Sequence, residues 1–131
     1  MKAIGVGECA GVVIDLIETL FLESEEKIAN AKKSLEEGLF SDAIYYAYSS
    51  QINSAKAILL AENKKTNTQA DIVAGFDKEF VATAAIKFEG TFADSVYAIN
   101  KNAPSKDFAT AYIATAEAFL VSVREFRAQN A

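Results

Sequence analysis

Tyr45, Tyr46 and Tyr48 crowd one stretch of the chain, and Asn53 and Lys56 follow within the next turns. Phenols stack on bases, line grooves and hydrogen-bond across interfaces, because each joins an apolar ring to a polar tip. A carboxamide and an ammonium add directional donors beside them. These five residues are the candidate ligand- or partner-binding site. Aromatic residues at helical spacing more often pack than bind, so core or dimer packing is the preferred use of the three phenols. The neighbouring Ser49, Ser50, Asn53 and Ser54 make a small, polar face that lets another helix approach closely, and an interface is expected there.

Catalytic chemistry finds little else to work with. The chain has no histidine, the side chain that most readily moves protons near neutral pH. Glu18 with Glu25, and Glu23 with Glu26, have the spacing of a ferritin-like carboxylate site, but such sites normally add Glu-x-x-His pairs from several helices. A solvated helix face is the expected role for these four, and for Glu36 and Glu37. Lys64 and Lys65 with Lys56 are a basic spot, as are Lys32 and Lys33, and isolated lysines are mostly solubilising. Gly5, Gly7 and Ala10 match G-x-G-x-x-A, yet only four residues precede the match, too few for the strand of a dinucleotide-binding unit. There is no nucleophile elbow, phosphate-binding loop or Cys/His cluster. No catalytic residue, metal site or cofactor is expected.

The elements that must position these residues are helical. A length of 131 residues with 51% apolar content suits one domain with a core that needs no metal or disulfide. Net charge of −5 and a pI near 4.8 disfavour nonspecific nucleic-acid binding. Cys9 is the sole cysteine, so no intramolecular disulfide can form and a cytoplasmic location is the plain expectation. No apolar run approaches the ~20 residues of a membrane span, and Glu8 and Asp15 interrupt the lead-in, which argues against a signal peptide.

Val13, Leu16, Ile17, Leu20, Ser24, Ile28, Ala31 and Leu35 recur at three-and-four spacing and predict a long first helix ending near Gly38. Ser41 is the expected cap of a second, antiparallel helix with Ile44, Ala47, Tyr48, Gln51, Ile52, Ala55, Ile58 and Leu59 inward. Thr68 and Asp71 predict the start of a third, shorter helix carrying Ile72, Val73, Phe76 and Phe80. Thr83 to Thr91 reads as a loop or short irregular helix, Phe92, Val96 and Ile99 as a short element ended by Pro104. Phe108, Tyr112, Ala116, Phe119, Leu120, Val123 and Phe126 then mark a closing helix. The fold class is all-α, an antiparallel up-down bundle of four to five helices. Residues 1–131 form one domain, with 1–11 as an N-terminal arm or junction.

A long helix, a turn, AIYYAYSSQINSAKAILLAENKK, a Thr-containing connector, ADIVAGFDKEF and a late closing helix together resemble a HEPN domain over roughly Asp15 to Arg127. That superfamily of higher-eukaryote and prokaryote nucleotide-binding domains consists of helical bundles that commonly dimerise and includes nucleases and inactive interaction modules. Its nuclease motif pairs an arginine with a histidine a few residues on. Here the only arginines are Arg124 and Arg127, so no catalytic residue carries over. The resemblance implies a non-enzymatic protein-interaction or self-association module, with a homodimer or another protein as partner. Two alternatives remain open. The lead-in GVGECAGVVIDL resembles the junction of a HEPN-like extension behind bacterial nitrite/sulfite reductases, which implies an accessory domain serving a redox enzyme. A divergent nuclease or nucleotide-binding protein using carboxylates or tyrosines is the other.

Overall fold

The computed structural model describes residues 2–130 in the backbone and 14–129 in the side chains. Its elements are α1 (Lys2–Glu36), α2 (Phe40–Ala61), α3 (Gln69–Phe76), α4 (Phe92–Val96) and α5 (Lys106–Asn130). A π-helical turn, Asp77–Val81, continues α3, and a 3₁₀ turn, Tyr97–Asn100, continues α4. Among the described residues there is no strand, so the chain is an all-α bundle as its periodicity predicts. The backbone of residues 2–11, read from sequence as an arm or junction, belongs to α1, and the side chains of Cys9, Ala10 and Val13 lie outside the described residues.

Gly38 ends α1 as expected. It sits at φ 78°, its N–H donates to Leu35 O at 3.1 Å, and the Leu39 N–H donates to Ser34 O at 2.8 Å. This closure satisfies the last carbonyls of the helix and turns the chain back at once. The expected Ser41 cap is not formed. α2 already begins at Phe40, with Leu39 as its cap residue and no side-chain cap bond. The Schellman closure leaves no room for a separate cap, so Ser41 falls inside the first turn. At the far end of α2 Asn63 takes the same left-handed position, at φ 60°.

α1 and α2 are antiparallel and pack through small residues. Ser24, Ser50 and Ser54 are buried, as are Ala31, Ala43, Ala47 and Ala57. Ser50 Oγ donates to Ser24 O at 3.0 Å, and Ser24 Oγ lies 2.9 Å from Leu20 O and 3.2 Å from Ser50 O, sharing its one proton. Ser54 Oγ donates to Ser24 Oγ at 3.1 Å. Side chains this short bond to the facing backbone only if the two helices come close. The helix expected against this serine face is therefore α1 of the same chain.

The other flank of α1 meets α5, whose order is antiparallel to it, as Lys32–Glu117 and Glu18–Arg127 show at the two ends of the contact. Two neighbours widen the buried arc of α1, so Phe21, absent from the predicted stripe, is buried. Leu16, predicted inward, is 42% exposed because it falls about 100° from Ile17, off that arc.

The remaining core is aromatic. Phe92 lies 4.8 Å from Phe76 and stacks on Phe119 at 4.8 Å, while Phe80 contacts Phe76 at 5.2 Å and Phe126 at 5.4 Å between ring centroids. The π-helical turn, closed by the Ala82 N–H donating to Asp77 O at 2.8 Å, inserts one residue into the helical register. Phe80 thereby stays in the core while the chain leaves the helix. Asp77 also joins distant segments: its Oδ1 accepts from the Phe92 N–H at 2.6 Å and its Oδ2 from the Ala93 N–H at 3.1 Å. Thr91 Oγ1 accepts from the Asp94 N–H at 3.1 Å, and Thr68 Oγ1 from the Asp71 N–H at 3.0 Å, so the predicted Thr68 cap is present.

Two stability changes follow. Asp77→Ala leaves two N–H groups of α4 without their acceptor and lowers unfolding free energy by roughly 2 kcal/mol in urea titrations, with Asp77→Asn in between. Ser50→Leu forces α1 and α2 apart and costs about 1–3 kcal/mol. Ser49→Leu, next in sequence but on the groove side, costs less than about 0.5 kcal/mol.

Candidate functional site

The five candidate residues sit on one helix but face three ways. Tyr46 and Tyr48 are two positions apart, about 200° around the helix. Tyr46 turns toward α1, where Lys27 Nζ lies 5.5 Å from its ring centroid, a cation–π contact. Tyr45 is 61% exposed, with its ring 6.1 Å from that of Tyr46. Asn53 lines an open polar groove of about 460 Å³ between α1 and α2, with Ser49, Glu23, Glu26, Lys27 and Asn30. The structure thus gathers Tyr45, Tyr46 and Asn53 along one edge of the α1–α2 hairpin. Lys56, less than one turn beyond Asn53, is half-buried.

Tyr48 belongs elsewhere. It is half-buried on the side facing the 3₁₀ turn, and its phenol pKa is raised, first by burial and then by the neighbouring Tyr97 phenol, with a hydrogen bond from Gln69 opposing. Beneath it lie Gln51 and Tyr112, both buried. Tyr112 Oη donates to Val96 O at 2.8 Å, and Ser95 Oγ donates to Gln51 Oε1 at 3.5 Å. Burial pushes the Tyr112 phenol well above the usual tyrosine range, and the Gln51 amide beside it offsets only part of the rise. Gln51 Nε2 is buried without a hydrogen-bond partner. This cluster ties α2, α4 and α5 together. Tyr97 enters it from the 3₁₀ turn, Ser95 from the short α4 and Gln69 from the first position of α3, where no sustained periodicity marks them.

The carboxylates separate as well. Glu23 and Glu26 border the polar groove, whereas Glu18 and Glu25 point to the opposite flank of α1, against Arg124 at 3.9 and 3.5 Å. Arg124 lies over the Phe21 ring at 4.8 Å. Glu18 and Glu25, read from sequence as a solvated face, are half-exposed members of an ion-pair ladder. Sequence signals for it existed in the heptad spacing of Glu18, Glu25 and Lys32, but their partners lie far along the chain, on α5. Among the described residues no group of three or more His, Cys, Asp or Glu side chains is placed to hold a metal ion, and no helix is long and apolar enough to cross a membrane.

The tyrosine cluster makes stability pH-dependent in the alkaline range. Below the ordinary tyrosine pKa of about 10, folded and unfolded chains both keep the Tyr112 proton, so it contributes no pH dependence. Above it the unfolded chain releases the proton first, and stability falls as pH rises. Tyr112→Phe removes part of this alkaline decline while costing about 1 kcal/mol near neutrality from the lost bond to Val96 O, measured by urea midpoints across the pH range. Compared with known proteins, the chain matches no protein-family model and no curated protein.

Proposed function

We propose that this chain is a non-enzymatic, HEPN-like helical interaction module that engages another protein, or itself, rather than transforming a substrate. The observation that carries this reading is the Tyr45–Tyr46 pair at the edge of the α1–α2 hairpin. Tyr45 is largely exposed although its ring is a large apolar surface, and Tyr46 is steadied from below by Lys27. Tyrosines in this setting lose little side-chain freedom on contact and supply both apolar area and a hydrogen bond, which is why they are enriched at interface cores. The groove holding Asn53, Ser49 and Asn30 beside them adds a polar rim.

The arginines support the same reading. Both Arg124 and Arg127 are engaged by Glu18, so neither presents the free guanidinium that a phosphate-cleaving site needs. With no histidine in the chain, proton transfer during RNA cleavage has no evident carrier.

The test compares partner capture by the wild type and by Tyr45→Glu/Tyr46→Glu, with far-ultraviolet circular dichroism confirming that both are folded. Proteins retained by the wild type should be lost from the double variant, with affinity lowered at least about tenfold. A redox enzyme among them would point to the accessory-domain form of this reading. RNA cleavage by the purified chain that survives in the fold but disappears in Tyr45→Phe or Glu23→Gln would overturn it in favour of a nuclease.

A further inference from the structure

The seam between α1 and α5 carries opposite charges at three levels, each seven residues apart on α1. Glu18 lies 3.9 Å from both Arg124 and Arg127. Glu25 lies 3.5 Å from Arg124, and Lys32 lies 2.7 Å from Glu117. From the N-terminal side of α1, its column reads minus, minus, plus, and the α5 column beside it reads plus, plus, minus. Between these rungs the surface is apolar. Leu22 is 55% exposed and Val121 51% exposed, and Ala29 and Val121 line one groove of about 370 Å³ over Ile28 and Leu120.

We propose that a second copy of this chain docks on the seam, related by a two-fold axis running along it, so that each α1 lies over the α5 of the other copy. The inference rests on reading the chain as an interaction module and assigns that module a partner and a surface. It uses the flank of α1 away from the tyrosine edge, since Glu25 and Lys27 lie about 200° apart on the helix.

The charge pattern selects both the occupant and its orientation. Rotation about an axis along the seam exchanges the two columns without reversing their order. Each acidic level of α1 then faces an arginine of the other copy, and Lys32 faces its Glu117, so every rung becomes a square of alternating signs. A two-fold axis across the seam would instead lay α1 on α1 in reverse, which pairs Glu18 with Lys32 at the outer levels but sets Glu25 on Glu25 and Arg124 on Arg124 in the middle. All three levels match under the first rotation and only two under the second, so the charges favour the axis along the seam for an isologous contact. The apolar relief agrees: Val121 and Ala29 share a level, so the favoured rotation sets the protruding valine against the alanine of the second copy.

Size is adequate. From Ile14 to Glu36 α1 runs about 33 Å at the helical rise, and two packed helices span about 18 Å. The flat footprint is of the order of 600 Å², and side-chain relief adds to it, against the ~800 Å² per partner of a stable contact. Half-exposed ion pairs contribute little alone, but in the square each charge gains a second opposite neighbour, which works against the desolvation cost of covering it.

Sedimentation velocity and light scattering on the full chain test this. The wild type is expected to dimerise, more weakly as salt rises from about 0.05 M to about 0.5 M. V121K and A29E should each raise the dimer dissociation constant at least about tenfold with helix content unchanged, and mixing the two variants should restore dimers as a V121K/A29E heterodimer. A wild type that stays monomeric at about millimolar concentration, a dimer indifferent to both variants, or a mixture that fails to re-form dimers overturns the seam. A dimer that resists V121K but dissociates in Tyr45→Glu also overturns it, while leaving the interaction-module reading intact. Conversely, a V121K-sensitive dimer whose tyrosine variants lose no partner keeps the seam and removes the tyrosine edge.

Discussion

The close approach of α1 and α2 is the constraint from which the rest of the arrangement follows. Ser24, Ser50 and Ser54 exchange hydrogen bonds with each other and with the facing backbone in a buried layer that also holds Ala31, Ala43, Ala47 and Ala57. Larger side chains there would separate the helices and leave the serine hydroxyls without acceptors, a double penalty in a site sealed from water. Because α2 occupies this face of α1, α5 must use the adjacent flank. The large aromatic side chains of α3, α4 and α5 then fill the volume beside the hairpin.

Rings make the centre of that volume, and buried aliphatic side chains such as Ile72, Val73, Val96 and Val123 share the core with them. Phe76, Phe92 and Phe119 form its centre, and Phe80, Phe88 and Phe126 surround them. Short irregular elements deliver several of these rings, and their backbones need explicit hydrogen-bond partners. Asp77 illustrates how this is met. One carboxylate at the start of the π-helical turn accepts both leading N–H groups of α4, so a five-residue helix that could not persist alone is held by tertiary contact.

The same packing explains why the tyrosines do not act as a unit. Once Ser50 and Ser54 face α1, the helical period sends Tyr46 and Asn53 to one edge of the hairpin and Tyr48 to the other. Tyr48 then joins Tyr97, Gln51 and Tyr112 in a polar layer of the interior, while Tyr45 is left on the surface. On α1 the same geometry divides the glutamates, placing Glu18 and Glu25 on the α5 seam and Glu23 and Glu26 at the polar groove. Residues that are neighbours in sequence thus serve two different surfaces and one buried cluster.

Local chemistry by itself determined the helices, because periodicity, the Gly38 turn and the Thr68 cap act within a few residues. It also identified the inward rows of α2 and α5, including Gln51 and Tyr112, and the absence of histidine that removes the usual proton carrier. Only the tertiary structure decided which helix covers the serine face, that Leu39 rather than Ser41 precedes α2, and that Phe21 is buried while Leu16 is not. It alone joined Asp77 to α4 and Glu18 to Arg124 and Arg127. The physical reason is common to all of these. Helix formation depends on hydrogen bonds four residues apart, whereas burial, charge pairing and surface exposure depend on which distant segment packs alongside, and no local pattern in this chain specifies that neighbour.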